Sequence, residues 1–151
     1  MTVYRCFVEK RKPFAVEAAH TLADLREALR SDKIESVRIL NRYDIENIDE
    51  EDYLSARYTI LSEPQVDDLY EETAPAAAED EWVFAVEYLP GQFDQRADSC
   101  AQCIQLSTMK TRPDVASARV YYIKGDLDEA DKAKIRETLI NPVESREASL
   151  D

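Results

Sequence analysis

The chain has 151 residues, of which 44% are hydrophobic and 34% charged, and its net charge is −13. This length and composition predict one soluble globular domain, and the charge argues against nucleic acid and anionic membrane surfaces as partners. No apolar run approaches the roughly 18 residues of a spanning helix. The N-terminus lacks the pattern of a secretory signal, so we expect a cytoplasmic protein whose three cysteines are reduced.

The first part of the chain alternates strand and helix signals. Residues 3–9 are rich in β-branched and aromatic side chains and predict a strand. Thr21 is a suitable N-cap for a helix that continues to residue 30 with leucines on one face. Alternation predicts a second strand over residues 36–43, and the acids at 49–52 favour the first turn of a short helix. Residues 56–61 fit either an extension of that helix or the start of a strand.

The same order of signals returns after an acidic connector. Between residues 67 and 81 the chain has seven acids and no lysine or arginine. Residues 64–81 therefore predict a solvated connector that is flexible over at least residues 73–80. The second part then predicts a strand at 82–89, a helix capped by Asp98 or Ser99 and ending near 108, a strand at 115–124 and a helix at 128–139.

The repetition predicts a duplicated α+β fold. Proline, valine and an acid close both parts, at residues 63–67 and 141–144. We interpret residues 1–63 and 82–151 as two similar βαβα-type halves that are joined by the acidic linker 64–81. The halves would pack as a pseudo-dimer with antiparallel or mixed sheets covered by helices. The alternative is a generic α+β domain whose halves are alike by coincidence.

Cys100 and Cys103 are spaced like a redox pair or half of a metal site. With Ile104 and Ser107 they share one face of the predicted helix, so core packing accounts for them without chemistry. A redox role would need a Cys100 pKa lowered by the helix N-terminus, and acids in the preceding loop would oppose a thiolate. We expect these cysteines to be packing residues.

The sequence offers no catalytic or metal constellation. The single histidine, His20, precedes a predicted helix cap and is expected at the surface. Two cysteines and one distant histidine fall short of four zinc ligands. Only two glycines are present, which excludes a glycine-rich phosphate loop. The many carboxylates lie in helix first turns or in the connector, where solvation and the helix dipole explain them.

The polar loop after residue 90 is the candidate site. Gly91 allows a tight turn, and the loop runs into a helix N-terminus whose free N–H groups, with Arg96, suit an anion. The alternative is an ordinary surface loop in which Arg96 pairs with a neighbouring acid. The candidate residues are Gln92, Asp94, Gln95, Arg96, Asp98 and Ser99.

Several segments resemble the N-terminal domain of phosphoribosylformylglycinamidine synthase in its large single-chain form. They are VFAVEYLPGQFDQRADSCAQCIQL, SARVYYIKGDLDEADKAKIRETLINPVESREASL, VRILNRYDIE and YTILSEPQVDDLYEE. The resemblance covers residues 3–150 apart from 73–81, and it is most specific at 87–105 and in the closing NPVESREASL. The two-half organisation also resembles the small, dimeric subunit of the multi-chain form, of which this chain would be a duplicated version.

The resemblance implies a part of a purine-biosynthesis ligase. The whole enzyme converts formylglycinamide ribonucleotide to its amidine with ATP, magnesium and ammonia released from glutamine. The ATP-binding and glutaminase residues would belong to other domains, so this fragment would be non-catalytic and without a cofactor. Its partners would be the synthetase and glutaminase domains, and it could help to enclose the ammonia route.

The family also suggests where the candidate loop would lie. The loop that matches residues 90–99 would face the synthetase active site, with Gln92, Gln95, Arg96 and Asp98 as orienters or charge partners of the substrate. Related long-form enzymes have a Ser/Trp-rich loop in place of FDQRADS, so this chain departs from them at this loop. Two other functions stay open: a free-standing homodimeric interaction module, and a small thiol-redox protein that uses Cys100 and Cys103.

Overall fold

The computed structural model describes residues 2–150. A short 3₁₀ turn at Lys12–Phe14 precedes the first helix, and a π-helical turn at Arg57–Leu61 follows the second. The strands and helices, in chain order, are β1 (Tyr4–Lys10), α1 (Val16–Leu29), β2 (Ile34–Glu46), α2 (Glu50–Ala56), β3 (Asp67–Glu71), β4 (Glu81–Tyr88), α3 (Gln95–Thr108), β5 (Asp114–Gly125), α4 (Glu129–Leu139) and β6 (Ser145–Ala148). None of the helices in residues 2–150 is both long and apolar enough to cross a membrane.

The six strands form one antiparallel sheet in the order β3-β1-β2-β5-β4-β6. The predicted α+β class is confirmed. The order is mirrored about the central β2–β5 pair, so that each half contributes its strands in the same arrangement. A short strand also follows each Pro-Val-acid signal, where the sequence had suggested only a turn: β3 in the predicted connector and β6 at the end of the second half. A duplication of the chain stays a prediction.

Two equivalent turns have the same backbone bonding. Arg11 N–H donates to the Val66 carbonyl at 2.8 Å, and Leu89 N–H donates to the Glu144 carbonyl at 2.9 Å. These bonds tie the end of β1 to the start of β3, and the end of β4 to the start of β6. The local similarity of the halves therefore extends from sequence signals to hydrogen bonding.

The helices pack on one face of the sheet in two groups, and each group draws on both halves. The α2–α3 cluster joins Tyr53 of α2 and Ile104 of α3 over Cys6 and Ile45. The α1–α4 cluster includes the following buried residues: Leu25 of α1, Ile135 of α4, Ile34, Phe84 and Ile123. Because α1 packs with α4, and α2 with α3, neither half encloses its own core.

The opposite face carries no helix but is still buried. Phe7, Leu40 and Val120 form an apolar row there, and Ala74 of the connector packs against it. The Tyr122 hydroxyl donates to the Pro75 carbonyl at 2.6 Å, which fixes the connector across this face. Near the other end of the chain, the buried Arg42 guanidinium donates to the Ser149 carbonyl at 2.7 Å. Two extended segments thus take the place of a second helical layer.

Two predicted helix starts were wrong. Helix α1 begins at Val16 rather than after Thr21, because Pro13 sits in a turn that its fixed φ favours and that leads directly into the helix. Helix α3 is capped by Asp94, whose carboxylate accepts the Ala97 N–H at 3.0 Å, and not by Asp98 or Ser99.

The connector predicted at 64–81 contains strand β3. The acids there suggested a solvated segment, yet Tyr70 pairs with Phe7 of β1. The acidic residues are accommodated by the basic end of β1, where Arg11 donates to Asp68 at 3.2 Å. The segment left open at 56–61 continues α2 as the π-helical turn rather than starting a strand.

Candidate functional site

The centre of the helix-covered face is polar. Asn41 lies opposite Arg119 in the β2–β5 register, and Tyr43 lies opposite Ser117. Because side chains alternate along a strand, these four share one face with the two apolar clusters on either side of them. We call them the polar quartet. Apolar residues would be expected at such central positions of a covered sheet.

A cavity of about 550 Å³ opens above the polar quartet, between α3 and the end of α4. The size lies within the roughly 300–1,000 Å³ of small-molecule sites. Its walls come from β2, β4 and β5, from Ile60 of the π-helical turn, and from the α4–β6 connection. A single π-helical turn often marks a functional site, and here it brings Ile60 to the cavity wall.

Asp94 positions α3 over this cavity. Gly91, at φ +89°, turns the chain after β4, and Asp94 then caps the helix. The Asp94 carboxylate also accepts the Ser117 N–H at 3.0 Å and the Ser117 hydroxyl at 2.8 Å. One side chain thus fixes the N-terminus of α3 to β5 and directs the first turn of the helix toward the cavity.

Two arginines, Arg96 and Arg119, line the cavity, and Arg96 is the one without an acidic partner among residues 2–150. Its guanidinium donates to the Tyr43 hydroxyl at 3.4 Å and forms no ion pair with a carboxylate of residues 2–150. Burial raises the pKa of Tyr43, and the hydrogen bond from Arg96 partly opposes that rise. The alternative, in which Arg96 pairs with the neighbouring acid Asp94 or Asp98, is not found among the described residues, since Asp94 bonds Ser117 and Asp98 pairs with Arg112.

The other two polar groups of the floor differ in their bonding. Arg119 forms an ion pair with Glu17 of α1 at 2.5 Å, so its charge is compensated. The side-chain oxygen of Asn41 is buried and has no hydrogen-bond partner among the described residues. An unpaired buried acceptor is costly. The Asn41 amide borders the cavity, so a half-turn about χ2 would bring its covered oxygen to a donor there.

The structure divides the six predicted loop residues into three groups. Gln95, Arg96 and Ser99 line the cavity, whereas Asp94 and Asp98 bond to β5 and Arg112 and have structural roles. Gln92 is exposed and does not line it.

Sequence reasoning missed the polar quartet. One signal was available in β2. Val37, Ile39 and Asn41 alternate onto the same face of the strand, so the pattern predicts an apolar residue at position 41, where the chain has asparagine. Arg119 interrupts the register of Tyr121 and Ile123 in the same way. Only the pairing of β2 with β5 shows that the two interruptions face each other.

The cysteines are only partly packing residues. Cys100 and Ile104 are buried as expected, but Cys103 and Ser107 are exposed, and Cys103 lines the cavity. Burial raises the pKa of Cys100 to about 12, and it raises the pKa of Cys6 to about 12 as well. A redox pair would need the opposite shift at Cys100.

The buried thiols predict a loss of stability at alkaline pH. Cys6 and Cys100 ionise near pH 9.0 in an unfolded chain but near 12 in the fold. Their contribution is therefore complete below pH 9 and is lost as the pH rises toward 12. We expect the urea midpoint to fall between about pH 9 and 11, and to fall less steeply in a Cys6→Ala/Cys100→Ala variant. Equal slopes for both proteins would contradict the assignment.

No metal centre is built into the described part of the chain. Among residues 2–150, no group of three or more His, Cys, Asp or Glu side chains is arranged to hold an ion, and His20 is exposed. Comparison of the chain with protein-family models and with curated proteins found no match. The candidate site therefore rests on the geometry of the cavity and on the sequence resemblance given above.

Proposed function

We propose that the chain is a non-catalytic N-terminal domain of a phosphoribosylformylglycinamidine synthase. In this role it is cytoplasmic and supports the synthetase domain, with the glutaminase domain as its second partner. ATP and magnesium belong to the synthetase domain. The proposal is supported by the resemblance of residues 87–105, because this segment forms the end of β4, the turn and helix α3, and so supplies much of the cavity wall.

The observation that carries the proposal is the apolar surface beside the cavity. Tyr88, Phe93 and Val143 are 43%, 68% and 77% exposed. The bond from Leu89 N–H to the Glu144 carbonyl holds the two segments that carry Tyr88 and Val143 together. Tyr88 and Val143 thus lie at the β6 edge of the sheet, and Phe93 is in the turn between β4 and α3. Exposed large apolar side chains are typical of a protein interface when they form a patch. We assign this edge to contact with the synthetase domain.

The alternatives have less support. A thiol-redox function conflicts with the raised pKa of the buried Cys100. A free-standing homodimeric module would use the same exposed edge. It differs from our proposal in one measurable respect, since it would form a stable dimer whether or not a synthetase domain is present.

Replacement of Arg96 tests the position of the cavity in the whole enzyme. We expect Arg96→Ala to lower kcat/KM for the ribonucleotide by about 10-fold to 100-fold, the usual effect of removing a charge-assisted hydrogen bond. Arg112→Ala is the matched control, because Arg112 contacts the same helix through Asp98 but does not line the cavity. Unchanged kinetics for Arg96→Ala would rule out a role of this loop near the substrate.

A further inference from the structure

Two residues of the cavity floor, Asn41 and Arg119, interrupt the apolar core of the fold. Asn41 and Arg119 separate the α2–α3 cluster from the α1–α4 cluster at the centre of the sheet. Apolar residues at these positions would join the clusters into one continuous core. Burying polar atoms here costs free energy unless they are hydrogen-bonded. Polar residues that lower the stability of a fold are expected at functional sites, and binding of a ligand would account for these two.

Two bonding capacities in the cavity are unused. The Asn41 oxygen is a buried acceptor without a donor among residues 2–150. The Arg96 guanidinium has five N–H donors, and the Tyr43 hydroxyl is the hydrogen-bond acceptor that the structure gives it. Both side chains line the same cavity. A ligand that satisfied both would therefore present an acceptor, preferably an anion, to Arg96 and a donor to Asn41.

The spacing of the two groups suits a small molecule. Arg96 meets Tyr43 at 3.4 Å. Asn41 and Tyr43 are alternate residues of β2, so their side chains leave the strand roughly 6–7 Å apart. One small molecule can span that distance within a cavity of about 550 Å³. Both residues of β2 lie on a central strand, which holds them rigidly.

We propose that this cavity binds a small organic oxyanion that also carries a hydroxyl or amide donor. The carboxylate or phosphate pairs with Arg96, whose planar guanidinium fits either group in a two-point contact. The donor bonds to the Asn41 oxygen after the amide turns about χ2, because that oxygen is covered in the present orientation. Arg119 already pairs with Glu17, so Arg96 supplies the attraction. The proposal concerns the isolated chain, and it stands or falls independently of docking to a synthetase domain.

Titration of the 15N-labelled chain tests the site directly. The probes are sn-glycerol 3-phosphate, 4-hydroxybutyrate and, as the uncharged control, glycerol. The observed signals are the side-chain amide of Asn41 and the Nε–H of Arg96. We expect at least one of the two anions to shift both signals at millimolar concentrations and glycerol to shift neither. The comparison of the two anions shows whether the site selects phosphate or carboxylate. Failure of both anions to shift the signals would overturn the proposal.

Four variants distinguish specific binding in the cavity from non-specific binding of anions. Arg96→Gln is expected to weaken the bound anion by about 10-fold to 100-fold, whereas the control Arg112→Gln changes affinity by less than about twofold. Asn41→Leu should weaken the hydroxyl-bearing probe but leave acetate, which has no donor for Asn41, unaffected. Glu144 lines the cavity, so Glu144→Gln should strengthen the binding of an anion. Equal affinities in wild type and Arg96→Gln would refute the assignment even if binding occurs.

Discussion

Neither half of the chain will fold alone when residues 1–76 and residues 77–151 are produced as separate fragments. Each apolar cluster takes one helix from each half, so a single half exposes the inner face of both its helices and its central strand. A chain of about 70 residues rarely gains more than about 3–5 kcal/mol from its own core. The loss of half of each cluster removes that margin.

The two fragments should recover the fold when they are mixed. The central β2–β5 pair, from Ile34–Gly125 to Glu46–Asp114, is the longest ladder of the sheet and joins the halves. Far-UV circular dichroism measures the recovery, and the single tryptophan, Trp82, reports packing of the α1–α4 cluster. The matched control is the whole chain cut once between residues 76 and 77. Independent cooperative unfolding of either fragment would contradict the conclusion that each apolar cluster needs one helix from each half.

Asp94→Ala will destabilise the fold more than loss of an ordinary helix cap. The side chain caps α3 through Ala97 and also accepts two hydrogen bonds from Ser117 of β5. Loss of a cap costs about 0.5–2 kcal/mol, and loss of hydrogen bonds to a charged group adds to it. We expect a decrease of about 2–4 kcal/mol in the free energy of unfolding.

Asp128→Ala is the control for this effect. Asp128 caps α4 in a capping box with Asp131, but its bonds stay within the helix terminus. Its replacement should cost about 1 kcal/mol. Urea unfolding of the two variants measures the difference. Equal losses would show that the link from Asp94 to Ser117 adds no stability, and that another contact positions the first turn of α3.

Four of the six strands were predictable because their signals are local. β-branched and aromatic runs located β1, β2, β4 and β5 to within a few residues, and the acids at Asp128 and Glu129 located the start of α4. Strand β3 was missed because its acids suggested solvent, whereas the basic end of β1 accommodates them. Such compensation comes from a segment more than fifty residues away, as in the bond from Arg11 to Asp68, so no local pattern reveals it.

The candidate site was predictable only in part. The loop before α3 was identified from its polarity, and Gln95, Arg96 and Ser99 do line the cavity. The floor could not be predicted, because it depends on the register that places Asn41 against Arg119. The choice of Asp94 as the cap depended in turn on Ser117, a residue of another strand.

In the function proposed for it, this chain supports a synthetase domain. The most direct test is ammonia-dependent amidine formation by the enzyme that lacks residues 1–151, measured with and without the separate chain. We predict that the added chain binds the truncated enzyme and restores activity, and that a Phe93→Asp variant of the added chain restores much less because Phe93 lies on the proposed contact edge. If the added chain neither binds the truncated enzyme nor restores its activity, the account is contradicted and a free-standing module is favoured.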